Sequence, residues 1–151
     1  MKIYIDADAC PKQIKEVLYK ASFRLKVPLI LVANKNLGFP YDELISSIIV
    51  ENGLNVADDK IAELVEKNDL VITADIPLAD RVIEKEAFAL NPRGRLYTKE
   101  NIKESLSTRN FFDELRKNGI ETGGPKPFDK KDVYNFSNQL DTLLTKLLKK
   151  K

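Results

Sequence analysis

Met1-Lys2-Ile3-Tyr4-Ile5-Asp6-Ala7-Asp8-Ala9-Cys10-Pro11 opens the chain, and its reading decides the fold. Ile3, Tyr4 and Ile5 are β-branched or aromatic and favour a strand. The run is short and apolar, as in a buried parallel strand. It stops at two aspartates separated by Ala7. Pro11 then suits the first turn of a helix. Asp6 and Asp8 therefore sit where a strand hands over to a helix. Open α/β sheets bind ligands at such carboxyl ends, and unpartnered acids there are costly to bury.

Outward from this stretch the pattern repeats. Ile14, Val17, Leu18, Ala21 and Leu25 recur at helical spacing up to Pro28. Leu29–Ala33 reads as a second buried strand ending at Asn34. A loop at Asn36, Gly38 and Pro40 follows, and in Leu44–Val50, ambiguous by pattern, the β-branched Ile48-Ile49-Val50 suggests a third strand. After the Asn52-Gly53 turn, Asn55 reads as a helix N-cap with Asp58 in the capping-box position. Leu70–Thr73 is a fourth strand, ending near Asp75, and Pro77 starts another helix. Ala87–Leu90 is a fifth strand, closed by Asn91-Pro92-Arg93-Gly94. Strand and helix alternate over residues 1–97, which predicts an α/β three-layer sandwich with a mainly parallel central sheet.

Residues 98–151 change character. Thr98 caps a helix carrying Ile102, Leu106 and Phe111, with a break expected near Ser107-Thr108. Thr122-Gly123-Gly124-Pro125 reads as a loop. Asp129 caps a last helix with Val133, Phe136, Leu140, Leu143 and Leu147 on one face. This helical extension is too short to stand alone, so the 151 residues read as one domain with the extension packed on the sheet.

Composition narrows the chemistry. The chain has 25 basic and 23 acidic residues, a net charge of +2 that neither demands nor excludes a nucleic-acid partner. It has no histidine, which removes histidine-based triads, histidine metal ligation and histidine general bases. Its one cysteine, Cys10, forms neither an internal disulfide nor a cysteine-rich zinc site, and it reads as a small packing residue. The acids at 6 and 8 interrupt any signal-peptide core, and no apolar run approaches the roughly 20 residues of a membrane span. The expected location is the cytoplasm, with no membrane partner.

The remaining candidates are acids at strand ends and helix starts: Asp6, Asp8, Asp58, Asp59 and Asp75. A parallel sheet delivers such junctions to one edge. Two carboxylates about 4 Å apart repel by roughly 4 kcal/mol at an effective dielectric of 20, so a cluster calls for protons or hard cations. Mg²⁺ or Mn²⁺ is the expected cofactor, with Asp6, Asp8 and Asp75 as metal ligands. Asp58 and Asp59 complete the set, although the helix dipole alone favours acids in a first turn. Thr73, Asn34, Asn91 and Arg93 are the expected phosphate or substrate contacts on the same edge. Arg81 and Arg95 are weaker candidates, and Lys126, Lys130 and Lys131 could track a phosphate backbone.

These residues also carry a resemblance. Ile5–Pro11, Val32-Ala33-Asn34, Ala57-Asp58-Asp59, Val71–Ala79, Asn91–Gly94 and Thr122–Pro125 together resemble the YaiI/YqxD family of bacterial proteins, of unassigned function. The resemblance spans nearly the whole chain. It implies a PIN-like nuclease fold, in which Asp6, Asp58 or Asp59, and Asp75 match the acid positions. What it implies about activity is metal-dependent cleavage of RNA phosphodiesters. Strand-Asp6-x-Asp8 also resembles the opening motif of haloacid-dehalogenase-like phosphatases, where Asp6 would be a covalent nucleophile. A third reading is a non-catalytic module that binds RNA or a ribonucleoprotein.

Overall fold

A six-stranded sheet in the order β3-β2-β1-β4-β5-β6 organises the protein. The computed structural model describes residues 1–36, 38–40, 42–53, 55–119 and 127–149. The strands are β1 (Ile3–Asp6), β2 (Leu29–Ala33), β3 (Ile45–Ile49), β4 (Leu70–Ile72), β5 (Phe88–Leu90) and β6 (Leu96–Tyr97). The helices are α1 (Lys12–Leu25), α2 (Val56–Leu64), α3 (Ile76–Glu84), α4 (Lys99–Lys117) and α5 (Lys130–Lys149). β1 pairs in parallel with β2 on one side and β4 on the other, in the registers Ile3↔Leu29 and Ile3↔Leu70. Among the described residues only the β5–β6 pairing is antiparallel.

Alternation along each strand divides the apolar residues into two cores. Ile3, Ile5, Leu29, Leu31, Leu70, Ile72 and Leu90 face α1 and α5, where Ile14, Leu18, Phe136, Leu140 and Leu144 are buried against them. Tyr4, Val32, Val71 and Ala89 face the other way, onto Ile61 of α2, Leu78, Ala79 and Val82 of α3, and Ile102 of α4. The result is a helix–sheet–helix sandwich. The C-terminal helix packs back on the sheet, as its apolar face predicts. Among the described residues no helix is long and apolar enough to cross a membrane.

Several local expectations are corrected. β3 starts at Ile45, because pairing with β2 carries the strand through Ser46 and Ser47 despite their weak propensity. α4 runs unbroken through Ser107-Thr108, from a capping box in which Thr98 and Asn101 exchange hydrogen bonds. Asn55 does occupy the N-cap of α2, but its backbone is left-handed (φ 65°) and its side chain makes no cap bond. A side-chain cap needs extended backbone at that position, so the Asn55–Asp58 capping box does not form. The Thr122–Pro125 loop and Lys126 lie outside the described residues.

Two polar devices hold the frame. Asp69 is buried at the amino edge of the sheet and accepts from the Lys2 and Glu66 amides, both at 2.9 Å, tying β1 to β4. The Lys85 ammonium, at the end of α3, donates to the Ala62 carbonyl and so caps the last turn of α2. Both fix the elements that carry the acids.

Candidate functional site

Strand order reverses at β1: β2 and β3 lie to one side of it, β4 and β5 to the other. The carboxyl ends of β1 and β4 thus flank a topological switch point, where a crevice opens between the outgoing connections. Asp6 ends β1, and Asp75 stands three residues beyond the end of β4.

Asp6 is half-buried at this point. Burial lifts its carboxyl above the ordinary range, the charges of Asp8 and then Asp75 add to this, and the Ala9 and Asp8 amides oppose it. Asp75 is the N-cap of α3 and accepts from the Leu78 amide at 2.8 Å through Oδ1. Its own amide donates to Thr73 Oγ1 at 2.9 Å. Thr73 is buried and its amide donates to the Leu90 carbonyl, so it sets the angle at which Asp75 leaves the sheet.

Asp58 enters from the first turn of α2. Burial, then the charges of Asp75 and Asp6, push its carboxyl up to about 6. Hydrogen bonding toward Asp75 raises it further. The Asp58 Oδ1 atom is buried with no hydrogen-bond partner. Three carboxyl groups from three separate βα junctions therefore share one field of negative potential.

Asp8 and Asn34 line the site beside Asp6 and Asp58, and Asp59 lines it beside Asp58 and Asp75, each with a partner of its own, whereas Asn91 and Arg93 line neither hollow. Asp8 is exposed, and its Oδ2 accepts from the Asn34 amide at 2.7 Å, bracing the ends of β1 and β2. Asp59 lies on the outer side of α2, paired with Arg81 at 2.7 Å. Asn91 builds the β5–β6 turn: its Oδ1 accepts from the Arg93 amide and its Nδ2 donates to Tyr97. Arg93 reaches Asp132 in the first turn of α5 at 3.0 Å and lies over the Phe128 ring. Asn91 and Arg93 thus tie the turn to the C-terminal helix. Arg95 is exposed, as are Lys130 and Lys131 on α5. Cys10 packs at the edge of the core with its thiol pushed up to about 12 by burial, which keeps it neutral.

Two hollows flank Asp58. One, of ≈ 130 Å³, is lined by Asp6, Asp8, Asn34, Glu51, Asn55 and Asp58, together with backbone at Gly53. The other, of ≈ 190 Å³, is lined by Asn55, Asp58, Asp59, Asp75, Arg81 and Arg109. Glu51 and Arg109 carry no local sequence signal. Arg109 reaches the hollow only because α4 packs against α3.

The donor set suits a hard divalent cation in chemistry: every candidate atom is oxygen, and one buried oxygen lacks a partner. Among the described residues no group of three or more His, Cys, Asp or Glu side chains is assembled as a ready-made cage. Mg²⁺ does not demand one, since it keeps several waters and takes one or two carboxylates.

No solved structure matches the chain. Relatives called UPF0178 protein are similar along their full length. That of Colwellia psychrerythraea is 52% identical over 149 residues, covering 99% of each chain. That of Maridesulfovibrio salexigens is 53% identical over 148 residues, covering 98% of each. That of Citrifermentans bemidjiense is 54% identical over 149 residues, covering 99% of this chain and 97% of the relative. The model described as "Uncharacterized BCR, YaiI/YqxD family" matches residues 4–146, and on this evidence the chain belongs to the YaiI/YqxD family.

Proposed function

We propose that this protein is a divalent-metal-dependent hydrolase of RNA phosphodiesters. The observation that carries the reading is the placement of Asp6, Asp58 and Asp75 at the switch-point edge, where the charges of Asp75 and Asp6 act on Asp58 and a buried Asp58 oxygen is left unpartnered. Mg²⁺ or Mn²⁺ is the cofactor that relieves this charge without a histidine. The resemblance to PIN-like nucleases points the same way. Cys10, a buried neutral thiol, suits a reducing cytoplasm.

Asp6 and Asp75 hold the ion, each from a fixed position: Asp6 at the end of a buried strand, Asp75 locked between Thr73 and the α3 amides. Asp58 is the proton-sensitive member, charged above pH of about 6 and neutral below it. When bound, the ion supplies Lewis-acid polarisation of the phosphate and a more acidic water than bulk solvent offers. Asp8 stays on the rim, engaged by Asn34.

The test is cleavage of end-labelled single-stranded RNA with Mn²⁺, by protein freed of contaminating nuclease. Cleavage is expected to need Mn²⁺ and to fall at least about a hundredfold in Asp6→Asn. Equal cleavage by Asp6→Asn sinks the proposal. RNA that is held but never cut, whether or not metal is present, moves the protein to a binding module. A phosphoaspartate trapped at Asp6 moves it to the phosphatases.

A further inference from the structure

The two hollows beside Asp58 differ in charge. Among the described lining residues, the one under β1 and β2 holds four acids, Asp6, Asp8, Glu51 and Asp58, and no basic side chain. The one between α2, α3 and α4 sets Arg81 and Arg109 opposite Asp58, Asp59 and Asp75. An acidic lobe attracts cations and repels phosphate. A lobe with two guanidinium groups against three acids is balanced in charge once one of the acids is displaced or neutralised, and it then offers guanidinium forks to a phosphate.

Displacement is cheap here. The Arg81–Asp59 pair is exposed on both partners, at 48% and 65% of their side-chain area, and exposed pairs contribute little. The pair runs through a single Nη1–Oδ1 contact. A guanidinium presents five donors in a planar fork, so Arg81 has further N–H groups to offer a phosphate without leaving its place. Arg109 comes from the opposite wall, on a helix started by the Thr98–Asn101 capping box and seated on α3. Two guanidinium groups approaching from different helices can hold one phosphate from two sides.

We propose that the α2–α3–α4 hollow is a phosphate-binding subsite. Arg81 and Arg109 grip one backbone phosphate of a single-stranded RNA while its neighbour faces Asp6, Asp58 and Asp75. This rests on the phosphodiester reading above and gives the site a polarity: acids alone in the β1–β2 hollow, guanidinium groups beside the acids in the α2–α3–α4 hollow, and the ion between Asp6 and Asp75. Arg93, one of the phosphate contacts expected from sequence, pairs with Asp132 of α5 and lines neither hollow.

The test is fluorescence anisotropy with a labelled ten-nucleotide single-stranded RNA, titrated at several salt concentrations, with Mn²⁺-dependent cleavage assayed in parallel. Arg81→Ala and Arg109→Ala should each weaken binding roughly tenfold and flatten the slope of log affinity against log salt by about 0.7, one phosphate contact apiece. Arg109→Lys should keep the slope and lose part of the affinity, since lysine keeps the charge without the fork. Both residues are exposed, and circular-dichroism melts confirm that the variants are folded. If the wild type cleaves RNA while both alanine variants keep its affinity and slope, the arginines merely balance the acids and the subsite is overturned, with the hydrolase standing. If binding depends on both arginines but cleavage ignores Asp6, the subsite stands and the hydrolase falls. No measurable RNA binding by the wild type overturns the subsite outright.

Discussion

Thr73 and Asp75 are joined by a hydrogen bond from the Asp75 amide to the Thr73 hydroxyl at 2.9 Å, and this bond turns the chain from β4 into α3. Thr73 is buried, so its hydroxyl is sheltered from competing water. Thr73→Val keeps the shape and removes the acceptor, leaving the Asp75 amide without its partner. The expected cost is about 1–3 kcal/mol in a urea melt. Asp75 also shifts, so RNA cleavage should fall about tenfold or more through kcat. Thr73→Ser, which restores the hydroxyl, should recover most of both. Recovery of stability without recovery of kcat would separate the frame from the chemistry.

Asp58 predicts an unusual pH dependence. Its folded-state value of about 6 lies above its ordinary value of 3.8. The folded protein therefore binds the extra proton, and the group's contribution to stability is full below pH of about 4 and lost as the pH rises through about 6. Asp6 is shifted in the same direction. Asp58→Asn removes the charge and offers Asp75 a donor. At pH 7 it should raise stability by on the order of 1 kcal/mol, after allowing for solvent screening, while abolishing cleavage. The difference between wild type and variant should close below pH of about 4. Adding Mn²⁺ at pH 7 should raise the wild-type Tm by more than that of Asp58→Asn, which keeps Asp6 and Asp75 but has less negative charge to neutralise. Melting curves over this pH range decide it, and a wild type that is more stable than the variant at pH 7 without metal refutes the account.

Gly94 carries a steric prediction. Its φ is +99°, and a Cβ there would stand 2.8 Å from the Asn135 carbonyl carbon and 2.9 Å from the Phe136 nitrogen. Both are helix backbone and do not swing away. Gly94→Ala adds backbone strain to overpacking and should cost at least about 2 kcal/mol. Gly38→Ala, which meets nothing within 4 Å, should change stability by less than about 0.5 kcal/mol. Urea midpoints at equal slope test the pair. Similar midpoints for the two variants would show that the β5–β6 turn does not rest on α5.

Much of the framework was legible in local pattern. Ile3-Tyr4-Ile5 and Leu29–Ala33 form strands because short β-branched runs favour extended backbone and are buried on both faces. That Asp6, Asp8, Asp58, Asp59 and Asp75 lie at βα junctions was legible too, since a parallel sheet sends such junctions to one edge. β6 was not, because two residues, Leu96 and Tyr97, carry no period and form a strand only by pairing with Leu90 and Ala89. The Asn55–Asp58 capping box is absent for a related reason. The composition suits a cap, but the left-handed backbone of Asn55 is set by the chain path into α2.

The amino-acid order by itself determined the layered architecture, the exclusion of histidine chemistry and the candidate acids, because periodicity, turn chemistry and composition are properties of neighbouring residues. Tertiary packing alone decided which partner each acid meets. Asp8 goes to Asn34 and Asp59 to Arg81, while Asp58 faces Asp75 and Asp6. It also decided that Arg93 serves α5 and that Arg109 comes to the hollow from α4. The direction of a carboxylate, and the identity of the cation it meets, depend on how helices seat on the sheet. That seating is a long-range consequence of two apolar cores, which no local stretch of chain encodes.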